Sequence, residues 1–253
     1  MYHGTEAARR IAHASGWKSY RGTWLALALV GVVAGCSNPN IVGGGSTQVA
    51  GATPADGFLP QPGLLTAGGP GQIDLVYYKP GLNFANYNAI LLDPVVIITD
   101  ATSPLASAST EQRYALVNTY YSELFAALSA HCHMQASPAP GTLRFTFALT
   151  DAKLSNGVVK TLANYTPYVS AAYKVGSLAF NDGVGYFSGS ATSEAYATDS
   201  VSGALLWQGV DKRAGTNALL QNTTNSWYDV DQAMKAWSAE AAKRLQELGV
   251  CHR

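Results

Sequence analysis

A short apolar run near the start of the chain, residues 24–33, leads directly into the tripeptide Ala34-Gly35-Cys36. Four basic residues precede the run, at positions 9, 10, 18 and 21. The run is much shorter than the roughly 20 residues that a membrane-spanning helix needs, which is typical of a cleavable signal. Small residues before a cysteine form the pattern of a bacterial lipobox, so we expect cleavage between Gly35 and Cys36 and lipidation of the Cys36 thiol. The alternative is an ordinary secretory signal that ends near a cysteine by chance.

Lipidation of Cys36 would anchor the mature chain to a membrane. Each buried methylene of an acyl chain contributes about 0.8 kcal/mol, and a lipobox cysteine normally carries more than one chain. The next residue is Ser37. An Asp in that place would favour retention at the inner membrane, so Ser37 indicates the outer membrane, with the folded part facing the periplasm. The sequence thus predicts a membrane partner, held through Cys36.

Composition divides the chain into three parts. Residues 1–35 are the predicted signal peptide. Residues 36–56 are rich in Gly, Ser, Thr, Pro and Ala without apolar periodicity, so they are expected to form a lipidated, flexible tether. Residues 57–253 are long enough to bury the core of a single domain.

The charge balance excludes one class of partner. Removing residues 1–35 takes away four of the 16 Lys and Arg residues and one of the 16 Asp and Glu residues, which leaves the mature chain mildly acidic. No run of basic residues remains, so nucleic-acid binding is not expected. The sequence also has no Walker loop or dinucleotide fingerprint, and we therefore predict no cofactor.

Hydrophobic patterns in the first half of the domain predict two strands and a helix. Residues 73–78 have the composition of a strand, and residues 89–98 form an apolar run typical of a central strand, interrupted at Pro94. Ser109 and Gln112 have the spacing of a capping box and predict a helix over residues 110–131. The expected buried face of this helix carries Val117, Tyr121, Leu124, Phe125 and Leu128.

The second half predicts three more strands and a second helix. Apolar residues alternate over 143–149, and the strand-like runs 190–198 and 204–211 flank a loop from Asp199 to Gly203 that suits a hairpin. Apolar residues at helical spacing continue to Leu248 and stop at Gly249. Residues 165–189 fit either helix or strand. The pattern predicts a single-domain α+β fold, a mostly antiparallel sheet with two amphipathic helices packed on it.

Several short motifs together carry a family resemblance. They are the lipobox, Gly57-Phe58-Leu59, residues 75–80, Tyr87, residues 92–95, residues 143–151, Asp199 with Gly203, and Asp211-Lys212-Arg213. With these motifs the chain resembles the bacterial lipoproteins of the domain of unknown function 3313, over almost the whole mature length. None of the motifs is of a catalytic type, so the resemblance implies a lipoprotein and no particular activity.

Apart from Cys36, the histidines and cysteines of the mature chain form two clusters, His131-Cys132-His133 and Cys251-His252. Export to an oxidising compartment favours a disulfide between Cys132 and Cys251, since each follows the predicted end of a helix. A zinc or copper site and two free buried thiols are the alternatives. The spacing of the histidines supports metal binding weakly, and no metal is predicted.

Catalytic motifs are scarce in this sequence. There is no Gly-x-Ser-x-Gly elbow, and the histidines are adjacent to the cysteines. The candidate carboxylates, Asp93, Asp100, Asp151 and Asp211, are expected to be turn and cap residues. Nine aromatic residues could line a sugar or lipid groove, although most are expected in the core. These are Tyr77, Tyr78, Tyr87, Tyr114, Tyr120, Tyr121, Trp207, Trp227 and Trp237.

Three functions follow from these observations. The first is an outer-membrane lipoprotein that binds or supports an envelope partner, a protein or peptidoglycan, without catalysis. The second is a periplasmic carrier of a small lipid or glycan. The third is a hydrolase that uses carboxylates, which would require two acids with shifted pKa values in one cleft.

Overall fold

The structure is a computed structural model, and it describes residues 46–153, 189–215 and 227–251. These residues form nine strands and two α-helices. The strands are β1 (Ser46–Gln48), β2 (Thr66–Ala67), β3 (Leu75–Tyr78), β4 (Ala89–Leu92), β5 (Val96–Ile97), β6 (His133–Met134), β7 (Thr142–Lys153), β8 (Ser190–Asp199) and β9 (Leu205–Gly215). The helices are α1 (Thr110–Ser129) and α2 (Tyr228–Glu247). Residues 1–45, residues 165–188 of the stretch that fits either helix or strand, and His252 lie outside the described residues.

All nine strands belong to one sheet, in the order β2-β3-β9-β8-β7-β4-β6, with β1 paired to β9 and β5 paired to β7. The long strands β7, β8 and β9 pair antiparallel, but β4 and β5 run parallel to β7. The α+β class is therefore correct, while the sheet is mixed. The parallel pairing follows from α1, because the chain from β4 to β7 passes through this helix and a crossover of that length returns a strand in the same direction.

Pro94 divides the apolar run that the sequence assigned to one strand. Residues 93–95 separate β4 from β5, and both strands pair with β7. Asp93 still donates its backbone N–H to the carbonyl of Phe145, at 2.9 Å. Proline has no N–H to continue this ladder, so the strand is interrupted at the place where the sequence predicts a break.

Helix α1 begins as predicted and buries part of the predicted face. The side chain of Ser109 accepts from the backbone of Gln112, and the Gln112 side chain accepts from the backbone of Ser109. The buried residues of the helix are Leu116, Tyr120, Leu124 and Leu128. Leu124 and Leu128 are buried as predicted, whereas the predicted Phe125 is 42% exposed. Tyr120 can be fully buried because its hydroxyl lies 2.8 Å from the Ser193 hydroxyl on β8, a partner that helical spacing does not reveal.

Helix α2 ends where the sequence predicts. The backbone N–H of Leu248 donates to the carbonyl of Arg244, and Gly249 follows with φ of 75°, in the left-handed region that favours glycine. The two helices pack on each other, and their apolar side chains join those of β7 and β8 in one core. Both helices therefore cover the same face of the sheet.

The opposite face of the sheet is covered by the segment that follows β1. Ala52 and Leu59 pack with Val210 of β9, and the ring of Phe58 lies 5.4 Å from that of Tyr196. β1 itself pairs with β9, from Ser46 opposite Gly215 to Gln48 opposite Arg213. The predicted tether of residues 36–56 is thus wrong for residues 46–56. Backbone pairing and isolated buried residues hold this segment, and neither produces the apolar periodicity by which folded segments are predicted.

A disulfide connects Cys132 and Cys251, whose Cα atoms are 4.8 Å apart. Cys132 follows the C-terminal end of α1, and Cys251 follows that of α2. The backbone N–H of Cys251 also donates to the carbonyl of Tyr87, at 3.3 Å. The end of the second helix is therefore fastened both to the first helix and to the chain just before β4.

Candidate functional site

The best candidate for a binding site is a cleft between α2 and the sheet, which we call the aromatic cleft. Its floor is formed by β7, β8 and β9, and residues from α2 and from the chain around β3 form its sides. Its cavity volume is about 100 Å³, and it is open to solvent on one side. The aromatic residues that line it are Tyr78, Phe84, Tyr120, Phe145, Phe147, Trp207 and Trp237.

Two small residues lie opposite each other in the floor of the cleft. Ala195 of β8 and Gly209 of β9 are directly opposite each other in the antiparallel pair. A Cβ at Gly209 would lie 2.2 Å from Cδ1 of Ile73 and 3.0 Å from Cζ2 of Trp207. The side chains of Ile73 and Trp207 therefore pack directly over Gly209, and any larger residue there would displace them.

The acidic and hydroxyl groups that line the cleft are already engaged. The hydroxyl of Ser193 contacts that of Tyr120 and donates to the carbonyl of Ala148, at 3.0 Å. The carboxylate of Asp211 accepts from the Trp237 indole N–H at 2.8 Å and from the backbone N–H of Asp74 at 3.1 Å. Burial raises the pKa of Asp211, and these hydrogen bonds and the charge of Arg213 oppose the rise.

An ion-pair network closes one side of the cleft. Arg213 contacts Asp211 at 3.2 Å and Glu240 of α2 at 2.5 Å. The network links β9 to α2 across the cleft and fixes the distance between them. Its carboxylates neutralise the arginine and hold the helix, so the arrangement is structural and does not present an isolated acid or base to a ligand.

Two hydrogen-bond donors of the cleft remain available. Within the described residues, the indole Nε1 of Trp207 is buried and has no acceptor. Arg244 of α2 lines the cleft, and its Nε contacts the Tyr78 hydroxyl at 3.5 Å while Nη1 contacts Glu247 at 3.0 Å. Its second terminal nitrogen, Nη2, forms no hydrogen bond with another described residue. The cleft therefore combines an apolar interior with donors that suit an oxygen acceptor.

The four candidate carboxylates do not converge on one site. Asp93 accepts from Arg144 at 2.8 Å and Thr146 at 2.7 Å, at the end of β4. Asp211 lies in the aromatic cleft, as described above. Only Asp100 and Asp151 come together.

Asp100 and Asp151 are connected through Ser103. The backbone N–H of Ser103 donates to Asp100 at 3.0 Å, and its hydroxyl donates to Asp151 at 2.5 Å. Hydrogen bonds from Thr102 are the main reason that the pKa of Asp100 is lowered. Both acids line a polar depression of about 550 Å³ beside the segment after β1, together with Lys212. Asp100 caps the turn, as the sequence predicts, whereas Asp151 lies within β7 and is not a turn or cap residue.

The histidine and cysteine clusters do not form a ligand set. His131 and His133 are exposed, and the sulfur atoms of Cys132 and Cys251 are bonded to each other. Within the described ranges, no group of three His, Cys, Asp or Glu side chains is placed to hold a metal ion. Gly35 and Cys36 lie outside these ranges, and the predicted cleavage and lipidation remain predictions.

One unusual acid was not identified from the sequence. Glu194 of β8 is fully buried under the segment after β1, and its Oε1 accepts from the backbone N–H of Ala55 at 2.5 Å. Burial raises the pKa of Glu194 to about 7. The sequence places Glu194 two residues from Tyr196, on the same face of β8, and this is its only sign that Glu194 is buried. The alternation of residues along a strand does not show whether a face is exposed or is covered by a segment distant in sequence.

Comparisons with known proteins identify a family. The model of the family described as "Protein of unknown function (DUF3313)" matches residues 54–241. Comparison with the curated proteins finds no match. In the described part of the chain, neither helix is long and apolar enough to cross a membrane.

Two solved structures are similar to part of the fold. The PelC dodecamer from Paraburkholderia phytofirmans is 13% identical, over 68% of this chain and 96% of that chain, with a TM-score of 0.38. A DUF4136 family protein from Bacteroides thetaiotaomicron is 11% identical, over 70% of this chain and 96% of that chain, with a TM-score of 0.32. At these TM-scores neither structure indicates a function for the chain.

Proposed function

The chain belongs to the DUF3313 family, and we propose that it is a lipid-anchored outer-membrane protein that acts by binding and not by catalysis. The observation that carries the proposal is the sequence around Cys36, with its basic start, short apolar run and small residues before the thiol. Ser37 supports the outer membrane over the inner membrane. The binding partner in this proposal is another envelope protein or peptidoglycan.

The side chains of the described residues support binding over catalysis. Catalysis by carboxylates needs two acids free to exchange protons in one cleft. Asp211 is held by Trp237 and Arg213, and Asp100 and Asp151 are held by the turn around Ser103. A hydrolase is therefore less well supported than a binding protein.

The aromatic cleft favours a second candidate, a carrier of a small ligand. Binding pockets are typically apolar with a few placed polar groups. The aromatic cleft has this character, with the donors of Trp207 and Arg244 beside its apolar walls. An envelope protein with such a cleft could hold a ligand while it is attached to the membrane.

Replacement of Cys36 tests the anchor. We expect the Cys36→Ala chain to lack covalent lipid and to fail to reach the outer membrane, as measured by mass spectrometry of the N-terminal peptide and by fractionation of membranes. Ser37→Asp should move the lipidated chain to the inner membrane, with Ser37→Ala as the matched control. Lipid-free Cys36 in the wild-type chain at the outer membrane would contradict the proposal.

Crosslinking in cells tests the partner. The lipidated wild-type chain is crosslinked, purified in detergent and analysed by mass spectrometry. A stoichiometric adduct with one envelope protein or with peptidoglycan is expected. Recovery of the chain alone, under conditions in which a known envelope complex is captured, would favour the carrier.

A further inference from the structure

We infer that the aromatic cleft binds the acyl chain of a lipid, whose carbonyl or carboxylate oxygen accepts from Trp207 Nε1 and lies near the guanidinium of Arg244. This inference deepens the carrier candidate, and its link to membranes rests on the proposed lipid anchor. The structure contains the cavity and its unused hydrogen-bond donors, and the chemistry of these groups limits the class of ligand that fits.

The indole N–H of Trp207 is the first reason. A buried donor without an acceptor costs about 1–3 kcal/mol relative to a paired one, so an acceptor supplied by a ligand would be favoured. Cζ2 of Trp207 packs over Gly209 in the floor of the cleft, 3.0 Å from where a Cβ would lie, and Nε1 is two bonds away from Cζ2. The donor is therefore beside the floor of the cleft.

The engaged polar groups disfavour a sugar. A glycan must replace many water hydrogen bonds when it enters a pocket. Ser193 and Asp211 are occupied by Tyr120 and Trp237, so the floor has few groups left to replace those bonds. An acyl chain needs no hydrogen-bonding partner along its length, and the oxygen atoms at its polar end need only hydrogen-bond donors.

Arg244 gives the proposed ligand its orientation. It lines the cleft on α2, where its side chain is 38% exposed, and it contacts the Tyr78 hydroxyl. A carboxylate or ester carbonyl at this side would be close to a positive charge, while the hydrocarbon enters between Trp207 and Trp237. A peptide would bring backbone N–H donors to the same place, which Trp207 and Arg244 do not satisfy.

The size of the cleft limits how much of the chain is buried. Its volume of about 100 Å³ is smaller than the roughly 150 Å³ cavity that accommodates benzene. A few methylenes would lie in the cleft, and the remainder would leave through the open side. Each buried methylene is worth about fourfold in affinity, so binding is expected to be reversible.

The anchor would bring the cleft close to such ligands. Ten residues separate Cys36 from Ser46, the first residue of β1. Even fully extended, they reach no further than about 36 Å. A domain held at this distance stays close to the lipids of the membrane.

Brominated lipids provide the test, because bromine quenches tryptophan fluorescence at short range. The processed, lipidated wild-type chain is reconstituted in phosphatidylethanolamine vesicles and titrated with dibromostearic acid. A second series uses vesicles that contain brominated phosphatidylethanolamine, which distinguishes a free fatty acid from a membrane lipid as the source. We expect saturable quenching in at least one series.

Two alanines of α2 provide matched variants. Ala241 lines the cleft, whereas Ala239 is exposed on the other side of the helix. Ala241→Leu should fill the space of about two methylenes and weaken binding about tenfold, while Ala239→Leu should bind like the wild type. Both variants should unfold at about the wild-type urea midpoint.

The outcomes separate this inference from the anchor. Equal quenching of Ala241→Leu and Ala239→Leu, or no saturable quenching in either series, would overturn acyl-chain binding. If Cys36 in the same preparation carries lipid, the proposed lipid anchor remains supported although acyl-chain binding is overturned. Quenching that the Ala241→Leu substitution reduces would support the cleft. A higher half-saturating lipid concentration in Trp207→Phe, read from the remaining tryptophans, would support the donor.

Discussion

Glu194 is the residue whose chemistry depends most on the fold. Its side chain is fully buried, its Oε1 is bonded to the backbone of Ala55, and its Oε2 has no partner among the described residues. Burial disfavours the charged carboxylate and raises the pKa to about 7 from an ordinary value of 4.5. The segment after β1 therefore rests on a carboxyl group that gains its charge near neutral pH.

This environment predicts a pH dependence of stability. The folded protein retains a proton on Glu194 that the unfolded chain loses above pH 4.5, so the stabilisation is fully present below that pH and is lost as the pH rises through about 7. Each pH unit between the two pKa values contributes about 1.4 kcal/mol, which gives a loss of roughly 3 kcal/mol. Glu194→Gln keeps a neutral side chain and should remove this loss. Urea unfolding at pH 5 and pH 8 measures it.

The control is a carboxyl on the other side of the molecule. Glu123→Gln, on α1, should unfold with the same difference between pH 5 and pH 8 as the wild-type chain. The prediction concerns the change caused by Glu194→Gln, because other groups also titrate in this range. Parallel pH curves for Glu194→Gln and the wild type would show that Glu194 is ionised in the folded protein.

At the scale of the element, α1 depends on its N-terminal cap. The hydroxyl of Ser109 satisfies the backbone N–H of Gln112, which otherwise has no partner within the helix. Ser109→Ala should lower the free energy of unfolding by about 1 kcal/mol. Ser122→Ala is the matched control in the exposed middle of the same helix, where it should be neutral or slightly stabilising. Equal effects of the two substitutions in urea unfolding would contradict a role for the cap.

The disulfide connects the ends of α1 and α2 and predicts a large effect of reduction. Cys132 and Cys251 are 119 residues apart in the sequence, and closing a loop of that length restricts the unfolded chain by about 4–5 kcal/mol in the chain-entropy model. Replacing both cysteines with Ala should lower the free energy of unfolding by a similar amount. Dithiothreitol should destabilise the wild-type chain equally and leave the double variant unchanged. A double variant as stable as the oxidised wild type would refute this account.

Elements with local signals could be predicted from the sequence. The capping box of α1, the glycine that ends α2 and the Asp199–Gly203 hairpin each depend on a few neighbouring residues, and all three occur in the structure. Pro94 likewise marked the break between β4 and β5. On α1 the pattern identified Leu124 and Leu128 but not Tyr120, whose Ser193 partner is distant in sequence.

At the scale of the whole molecule, features that join distant segments could not be predicted. The pairing of β1 with β9 and the burial of Glu194 depend on contacts across more than half of the chain. The floor of the aromatic cleft combines Ala195 and Gly209, which meet across two strands. The sequence identified Trp207, Trp237 and Tyr120 as aromatic candidates but contained no local signal that they enclose the same space.

The position of β1 has a mechanical consequence. A pull on the chain from the side of Cys36 enters the folded part at Ser46, where β1 is held to β9 by three residue pairs and by the bond from Val49 N–H to the carbonyl of Lys212. Tension must separate these pairs before it reaches the buried residues Ala52 and Leu59. Under tension β1 can therefore separate from β9 first, while the rest of the sheet stays intact.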